Sequence, residues 1–266
     1  GSVPLGRVMS SKRHIKLENI MMKDMKLVPV TMDQEDVAFI FRQRDLTSAP
    51  VVNSHGQLIG VITIDDIVDV IHEEHEEDIM RLAGVGEEDD LYDAVVKTTM
   101  SRFSWLFLHL VCAMTAAFVI SLFQVQIEQL VVLAVLMPVV ATMGGAASVQ
   151  ALTVSVRGIA MKEVNPSNTI RTIGKEAMVG LLNGLIFALM ISIISWFWFG
   201  SVALGVVIAM AIMINLFVAG LSGSALPILL QKMGYDPAVA SSAFLTSITD
   251  IVGFYVFLGL GAIVLL

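Results

Sequence analysis

The sequence almost lacks cysteine, and beyond residue 101 it has little charge. Its single cysteine, Cys112, lies within an apolar stretch, so no disulfide can form within the chain, and its soluble part suits a reducing cytosol. The sequence also has no phosphate-binding glycine–lysine loop, no nucleophile motif and no cysteine-rich site. These gaps predict a protein that is not an enzyme.

Charge divides the 266 residues into two unlike parts. Residues 1–93 carry 19 of the 24 acidic residues and 9 of the 16 basic ones, a balance near −10. The rest is almost wholly apolar from residue 102 onward, and the whole chain is 56% hydrophobic. This distribution predicts an acidic soluble domain followed by a membrane domain. No nucleic-acid partner is expected, whereas contact with membrane lipid is.

Five long apolar runs predict five transmembrane helices, because about 20 apolar residues cross a bilayer as a helix. The predicted spans are 102–123, 129–157, 175–199, 202–230 and 237–265. The second and fourth are predicted to be interrupted by glycine and proline, namely at Pro138, Gly144, Gly145, Gly220, Gly223 and Pro227. Interruptions free backbone groups, which must then face protein or a watery cavity.

Lysine and arginine alternate across these spans. They lie before the first span, after the second and after the fourth, at Lys97, Arg102, Arg157, Lys162, Arg171, Lys175 and Lys232. The two intervening turns have none. The positive-inside rule therefore predicts a cytoplasmic N-terminal domain and a C-terminus outside the cell.

Asp250 is the only acidic residue of the last span. A carboxylate within a membrane is costly, and it usually marks an ion or substrate pathway. Thr246, Thr249 and Asp250 form part of a small, polar stripe at helical spacing, which a packing seam with a buried, protonated acid would also explain. The Lys and Arg residues of the other spans lie only at span ends, so Asp250 has no base to neutralise it and needs either protonation or a mobile cation. Its oxygen-rich surroundings favour Mg²⁺ or Ca²⁺ over softer metals.

The soluble part is predicted to fold as strand, helix, strand, strand and helix over residues 26–77. Ala49-Pro50-Val51-Val52 and the Gly-x-x-Thr-x-x-Asp segment of Gly60, Thr63 and Asp66 resemble a CBS module, the regulatory unit named after cystathionine β-synthase. That resemblance implies that Gly60, Thr63 and Asp66 bind an adenosine nucleotide such as ATP. A module without ligand, used only for dimer contacts, is the alternative.

Four domains are predicted along the chain. Residues 1–20 resemble the tail of a preceding CBS module, residues 21–80 form a CBS module, residues 81–101 an acidic connector with an amphipathic helix along the membrane surface, and residues 102–266 the five-helix domain. The Gly-Ser start and the incomplete first module predict a truncated N-terminus. The predicted fold class is an α-helical membrane protein with an N-terminal α/β cytoplasmic domain of CBS type.

The connector ends a run from Asp69 to Asp93 that has 11 acidic residues and only Arg81 as a base. Such density of like charge attracts divalent cations. A regulatory Mg²⁺ sensor is therefore predicted here, with a solvated helix face as the alternative. Its predicted residues are Glu87, Glu88, Asp89, Asp90 and Asp93.

The membrane text resembles the MgtE family of magnesium channels. MPVVATMGGAASVQALTVSVRG at 137–158 is similar to the family's second helix, and residues 215–254 are similar to its last two. Asp250 matches the acid that holds hydrated Mg²⁺ in the family's pore. The family usually has Gly-Gly-Asn where this chain has Gly144, Gly145 and Ala146, which puts ion selectivity in question.

The resemblance implies a homodimer in a bacterial inner membrane, with the pore on the two-fold axis and Mg²⁺ or related divalent cations as its ions. Cytosolic Mg²⁺ on the acidic faces would close it. The predicted ion-binding residues are Gly144, Gly145, Thr246, Thr249 and Asp250, and the predicted pore-lining residues are Ala146, Ser148, Gln150 and Asn215. A proton-coupled carrier and a nucleotide-sensing signalling protein with a membrane anchor are the alternatives.

Overall fold

The computed structural model describes residues 1–86, 89–90, 92–240 and 242–266. These form two compact units, Gly1–Glu76 and Glu77–Leu266. The described helices are α1 Leu5–Ser10, α2 Gln34–Arg44, α3 Ile64–Leu82, α4 Val95–Ser121, α5 Gln124–Gln129, α6 Val132–Ala160, α7 Thr169–Phe199, α8 Val202–Lys232 and α9 Ser242–Val264. The strands are β1 Val28–Pro29, β2 Ser48–Val52 and β3 Leu58–Thr63, and one-turn 3₁₀ helices lie at Leu17–Asn19 and Pro237–Val239.

The first unit is built on a three-stranded sheet in the order β1-β2-β3. The first pair is parallel and the second antiparallel. The predicted hairpin is confirmed. Its turn is held by Asn53, whose Oδ1 accepts hydrogen bonds from the backbone N–H groups of His55 and Gln57, and Gly56 adopts a positive φ of 73°. Helix α2 begins at its cap Asp33 and buries Phe41 in a small core with Val28 and Ile67.

Among its described residues, the second unit contains five helices that are long and apolar enough to span a membrane: α4, α6, α7, α8 and α9. The predicted fold class is therefore confirmed. Helix α8 is apolar on every side, as a helix at the centre of a bundle should be, and half of its most apolar stretch is buried. Its Val207 and Ile208 share a core with Leu133 of α6 and Phe257 of α9.

Two expectations about the helices are wrong. The predicted interruptions do not occur, because α6 continues through Pro138 and α8 through Pro227. The glycines serve close packing instead: a Cβ on Gly223 would lie 2.6 Å from the backbone oxygen of Ser148. Likewise, residues 95–101 form the first turns of α4 rather than a separate surface helix, since no glycine or proline ends the helix there.

Candidate functional site

Asp250 lies in the third turn of α9 and is half-buried. Because Pro237–Val239 forms a separate 3₁₀ turn, α9 begins at Ser242 rather than at 237. Eight residues of helix at about 1.5 Å each place Asp250 roughly 12 Å from the start of α9. This is less than the roughly 20 Å that a helix running from Pro237 predicts, yet it still places the carboxylate within the spanning part of the helix.

An open groove between α6 and α9 surrounds this carboxylate. Its volume is about 520 Å³. The residues that line it are Ala141, Thr142, Gly145, Ala146, Val149, Thr246 and Asp250. Because Gly145 has no side chain, α9 approaches closely there: a Cβ on Gly145 would lie 3.1 Å from Cγ2 of Thr246. The structure thus brings Asp250, Thr246, Gly145 and Ala146 together, although they are far apart in sequence.

Two predicted residues point away from this groove. Thr249 is fully buried, and its hydroxyl donates to the carbonyl oxygen of Thr246 at 2.8 Å. Ser148 is also fully buried and donates to the carbonyl oxygen of Gly145 at 2.8 Å. Since adjacent residues of a helix diverge by about 100°, Thr249 cannot share the orientation of Asp250. The expectations that Thr249 binds the ion and Ser148 lines the pore are wrong in this structure.

Gln150 and Asn215 are also misplaced by the sequence reading. Gln150 lines a different groove, which α6 forms with α7 and α8. Asn215 is 1% exposed and lies in the core between α6, α8 and α9. The sequence shows that these side chains are polar and lie within spans, but it does not show which face of a helix meets a neighbour. Neither residue lines the groove of Asp250.

Asn215 instead fastens α8 to α6 and fills the space behind the groove. Its Nδ2 donates a hydrogen bond to the carbonyl oxygen of Val140 at 3.0 Å. Gly144 and Gly253 leave the room for this amide, since a Cβ on Gly144 would lie 2.2 Å from Nδ2 and one on Gly253 would lie 2.7 Å from it. Gly144 therefore serves close packing, and its role as an ion ligand stays a prediction. The Asn215 side chain with Gly144 and Gly253 around it is called the Asn215 wedge. It sets the separation of α6 and α9 one helical turn from Asp250.

A further polar residue lies on a helix that packs against α9. His109 belongs to α4, and α4 contacts the helix that carries Asp250. The sequence marks His109 only as a polar residue within the first span. Its relation to Asp250 depends on a helix pairing that the sequence does not reveal.

The acidic connector is only partly described, since Glu87 and Glu88 lie outside the described residues. Asp89 is paired with Arg102, with Oδ2 and Nε 3.0 Å apart, and its side chain is 4% exposed. Asp93 accepts hydrogen bonds from Lys97 at 2.9 and 3.0 Å, which hold the pKa of Asp93 below its ordinary value. Asp90 accepts a hydrogen bond from the backbone of Tyr92. Two of the predicted sensor carboxylates are thus already neutralised by bases of α4.

The end of α3 is tied to the segment that precedes α9. Arg81 forms ion pairs with Glu77 and with Asp236, the residue that caps the 3₁₀ turn before α9. Leu82 packs beside a cluster that includes Leu152 of α6 and Leu245 of α9. The connector therefore contacts the same two helices that form the Asp250 groove.

The three residues predicted to bind nucleotide do not form an open site by themselves. Both the hydroxyl and the backbone N–H of Thr63 donate to Asp66, at 2.7 and 3.0 Å. These bonds hold the pKa of Asp66 below its ordinary value and satisfy a donor at the start of α3. Gly60 lies on β3 with open space beside it. The cavity of this unit, about 720 Å³, is lined instead by a set that includes Lys26, Arg44 and Pro50.

Comparison with known proteins covers both units. The MgtE family, described as a divalent cation transporter, matches residues 137–260, and the CBS domain family matches residues 17–73. The magnesium transporter MgtE of Enterococcus faecalis is 37% identical over 88% of this chain, and that of Bacillus subtilis is 31% identical over 92%. The magnesium transporter MgtE of Thermus thermophilus is 30% identical over 94%.

The membrane helices are thus similar to those of the MgtE family. The family match spans α6 to α9, the helices that build the Asp250 groove and its supporting core. With five spanning helices, the chain is an integral membrane protein. It spans about half the length of the curated relatives that it matches, 52–56% of each.

Sequence reasoning missed one acidic residue of the membrane unit. Glu176 lies in the second turn of α7 and is 9% exposed. It follows Lys175 at the end of a predicted loop that is rich in lysine and arginine. In such a loop an acidic residue is ordinary, so the sequence did not single out Glu176. The signal that was available is its place within the predicted span 175–199, where any acid is costly.

The Asn215 wedge predicts a non-additive pair of substitutions. Gly144→Ala places a methyl group against the Asn215 amide and should lower the free energy of unfolding by about 1–3 kcal/mol. Asn215→Ala alone should cost a similar amount, because it removes a hydrogen bond and leaves a cavity. The double variant should be more stable than the sum of the two losses indicates, since each change makes room for the other. Thermal unfolding in detergent measures all three, and strict additivity would contradict the wedge.

Proposed function

We propose that the chain conducts Mg²⁺ across the membrane and that the Asp250 groove is part of the ion path. The observation that supports this most is the position of Asp250, a carboxylate that faces an open groove within the membrane-spanning bundle. An intramembrane acid with only a structural role would be expected to pair with a base or to pack against apolar side chains. The names of the MgtE relatives supply the ion.

The groove suits a hydrated cation rather than a dehydrated one. Mg²⁺ gives up its water reluctantly and is often bound through one or two carboxylates that accept hydrogen bonds from its water. Asp250 is the only carboxylate among the groove residues, and Thr246 adds a hydroxyl that already donates to the carbonyl oxygen of Ala243. Its oxygen can still accept a hydrogen bond from metal-bound water. Mg²⁺ is here the transported ion, not a resident cofactor.

A homodimer completes this site in our proposal. The groove is open on one side, so a single chain encloses an ion only partly. A second copy related by a two-fold axis would close the groove and supply a second Asp250, since identical subunits pair through the same surface. Two carboxylates repel each other when the pore is empty, and a divalent cation relieves that repulsion.

The orientation follows from the basic residues. Lys162 lies in the connection between α6 and α7, and Lys232 ends α8, whereas the connections at 122–131 and at 200–201 have no lysine or arginine. We therefore place the N-terminal unit in the cytoplasm and the C-terminus outside the cell, in the bacterial inner membrane.

Gating by cytosolic Mg²⁺ is proposed to act through the connector. Asp89 and Asp93 are paired with Arg102 and Lys97, at the start of the helix that carries His109. A divalent cation that binds these carboxylates would weaken or replace their ion pairs with Arg102 and Lys97. Because both bases belong to the start of α4, that part of the helix would then move. Connector contacts with Asp236 and Leu245 offer a direct route to α9. ATP binding in the cavity near Lys26 and Arg44 remains a separate proposal for the CBS unit.

A proton-coupled carrier is the second candidate, and His109 is the observation that favours it. A histidine near an intramembrane carboxylate can exchange protons with it, because an imidazole ring can both accept and donate a proton. A carrier of this kind would require a pH gradient for net Mg²⁺ flux. A channel would pass current without one, with reversal at the Mg²⁺ equilibrium potential.

Asp250→Asn separates the ion path from a packing seam. The change keeps size and packing but removes the charge. We expect a folded, membrane-inserted protein whose Mg²⁺ flux falls about tenfold or more, because hydrogen bonds to charged groups are worth roughly 1.5–3 kcal/mol. Flux into liposomes under a Mg²⁺ gradient measures this, and Glu128→Gln, an acid outside the groove, is the matched control. Wild-type flux in a stable Asp250→Asn protein would disprove the proposed path.

Ala146→Asn tests ion selectivity in the same groove. An amide at this position can hydrogen-bond a water of the hydrated ion, whereas a methyl group cannot. The Mg²⁺-to-Ca²⁺ permeability ratio should rise roughly fivefold, the equivalent of one hydrogen bond of about 1 kcal/mol. Ala147→Asn, one residue further along α6 and facing α7 and α8, is the control. An unchanged ratio would show that residue 146 does not meet the ion.

The sensor proposal predicts a Mg²⁺-dependent change in proteolysis. Added Mg²⁺ should protect residues 69–101 from a protease, because counter-ions compact a segment of like charge. Joint replacement of Asp89, Asp90 and Asp93 by asparagine should abolish that protection. The control variant replaces three exposed acids of the first unit and changes the charge by the same amount: Glu18→Gln, Asp24→Asn and Asp65→Asn. It should retain the protection by Mg²⁺. Equal protection in both triple variants would contradict a sensor at these three residues.

A further inference from the structure

Glu176 is an intramembrane acid that the proposed ion path does not use. Its carboxylate lies 3.7 Å from the Nζ of Lys175, its neighbour in sequence, and this is its one ion pair among the described residues. The Lys175 side chain is 71% exposed, whereas that of Glu176 is 11% exposed. The acid is therefore held within the protein, while the base reaches outward beside it.

Glu176 lines its own groove, on the opposite side of α6 from Asp250. This second groove, about 200 Å³ in volume, lies between α6, α7 and α8. Two amide side chains, Gln150 and Asn183, join Glu176 along it, and Val154 and Val179 provide an apolar wall. It shares no lining residue with the Asp250 groove. Both amides are exposed on the surface of the bundle, so the groove is open to the membrane.

The depth of Glu176 matches the boundary between lipid headgroups and hydrocarbon. Helix α7 has 31 residues, or about 46 Å at 1.5 Å per residue, against a hydrocarbon core of about 30 Å. A centred helix would then extend about 8 Å beyond the core at each end. Glu176 is seven residues after Thr169, or about 10 Å along the axis. Its carboxylate thus lies within a few ångströms of the boundary, and Lys175 can extend into the headgroup layer.

We propose that this groove binds one phosphatidylethanolamine molecule. The ethanolamine ammonium donates hydrogen bonds to Glu176, and the phosphate accepts from Lys175, so an adjacent acid and base match a zwitterionic headgroup. The amides of Gln150 and Asn183 can donate to the ester carbonyls, and Val154 and Val179 contact an acyl chain. Choline lacks N–H groups, so a phosphatidylcholine molecule cannot form the same bonds with Glu176.

A metal ion fits this groove less well than a lipid. The ammonium of Lys175 lies close enough to Glu176 to offset its charge, and it would repel a divalent cation. The groove opens toward lipid and carries a single carboxylate among its lining residues. A zwitterion brings one charge of each sign, and both charges find a partner.

Native mass spectrometry of the chain released from nanodiscs tests the proposal. The nanodiscs contain equal amounts of phosphatidylethanolamine, phosphatidylcholine and phosphatidylglycerol. The wild-type chain should retain phosphatidylethanolamine about tenfold more strongly than phosphatidylcholine. Only the ethanolamine ammonium can donate charge-assisted hydrogen bonds to Glu176, and such bonds are the stronger kind. Glu176→Gln should lower that preference several-fold, because the amide oxygen still accepts a hydrogen bond but carries no negative charge. Glu163→Gln, an exposed acid before α7, should leave it unchanged.

Lys175→Gln provides a second, different expectation. Loss of the ammonium should weaken retention of both zwitterionic lipids equally, since both carry the phosphate that it contacts. Equal retention of the two lipids by the wild-type chain would overturn the proposal, and so would a preference that Glu176→Gln leaves unchanged. A spin label attached at Val179→Cys, in a Cys112→Ser background, tests for a metal site instead. If Mn²⁺ broadens the signal of this label and no longer does so after Glu176→Gln, the groove binds a metal and the lipid proposal is wrong. These readouts do not depend on ion transport.

Discussion

A polar group inside a bilayer has no water to bond with, and this constraint shapes the core around the Asp250 groove. The Nδ2 of Asn215 meets it by donating to the Val140 carbonyl, and the lack of side chains at Gly144 and Gly253 makes room for that contact. Ser148 and Thr249 meet it by donating to carbonyls of their own helices. Asp250 cannot meet it in this way, because an ionised carboxylate only accepts hydrogen bonds. It therefore faces an open groove instead.

The same constraint links packing to the proposed ion path. The Asn215 wedge lies one helical turn from Asp250, and Gly145 lies beside Thr246 on the groove side. Close contacts behind the groove thus determine its width in front. Protein interiors are packed too densely to deform gradually, so a change of one methyl group behind the groove should also be felt within it. The groove is shaped by residues that do not touch an ion.

Helix α6 separates two acidic grooves of different character. On one face, Asp250 has no basic neighbour among the residues that line its groove, and this suits a mobile cation. On the other face, Glu176 is accompanied by Lys175, and this suits a group with charges of both signs. The connector adds a third arrangement, in which Asp89 and Asp93 are held by bases of α4. Each carboxylate therefore has a different availability for cations, although all have similar intrinsic chemistry.

The sequence by itself determined the number of spanning helices, the CBS-type unit and the presence of a lone acid, Asp250, within the last span. Long apolar runs and a lone acid within one of them are local signals, because the cost of a polar group in hydrocarbon is paid wherever it occurs. Only the tertiary structure decided that Thr246 and Ala146 share a groove with Asp250, while Thr249, Ser148 and Asn215 do not. Periodicity shows which residues share a face of one helix, but it does not show which neighbour that face meets. For the same reason, glycines and prolines that predicted broken helices proved to lie in continuous ones, where Gly144 and Gly223 allow the helices to pack closely.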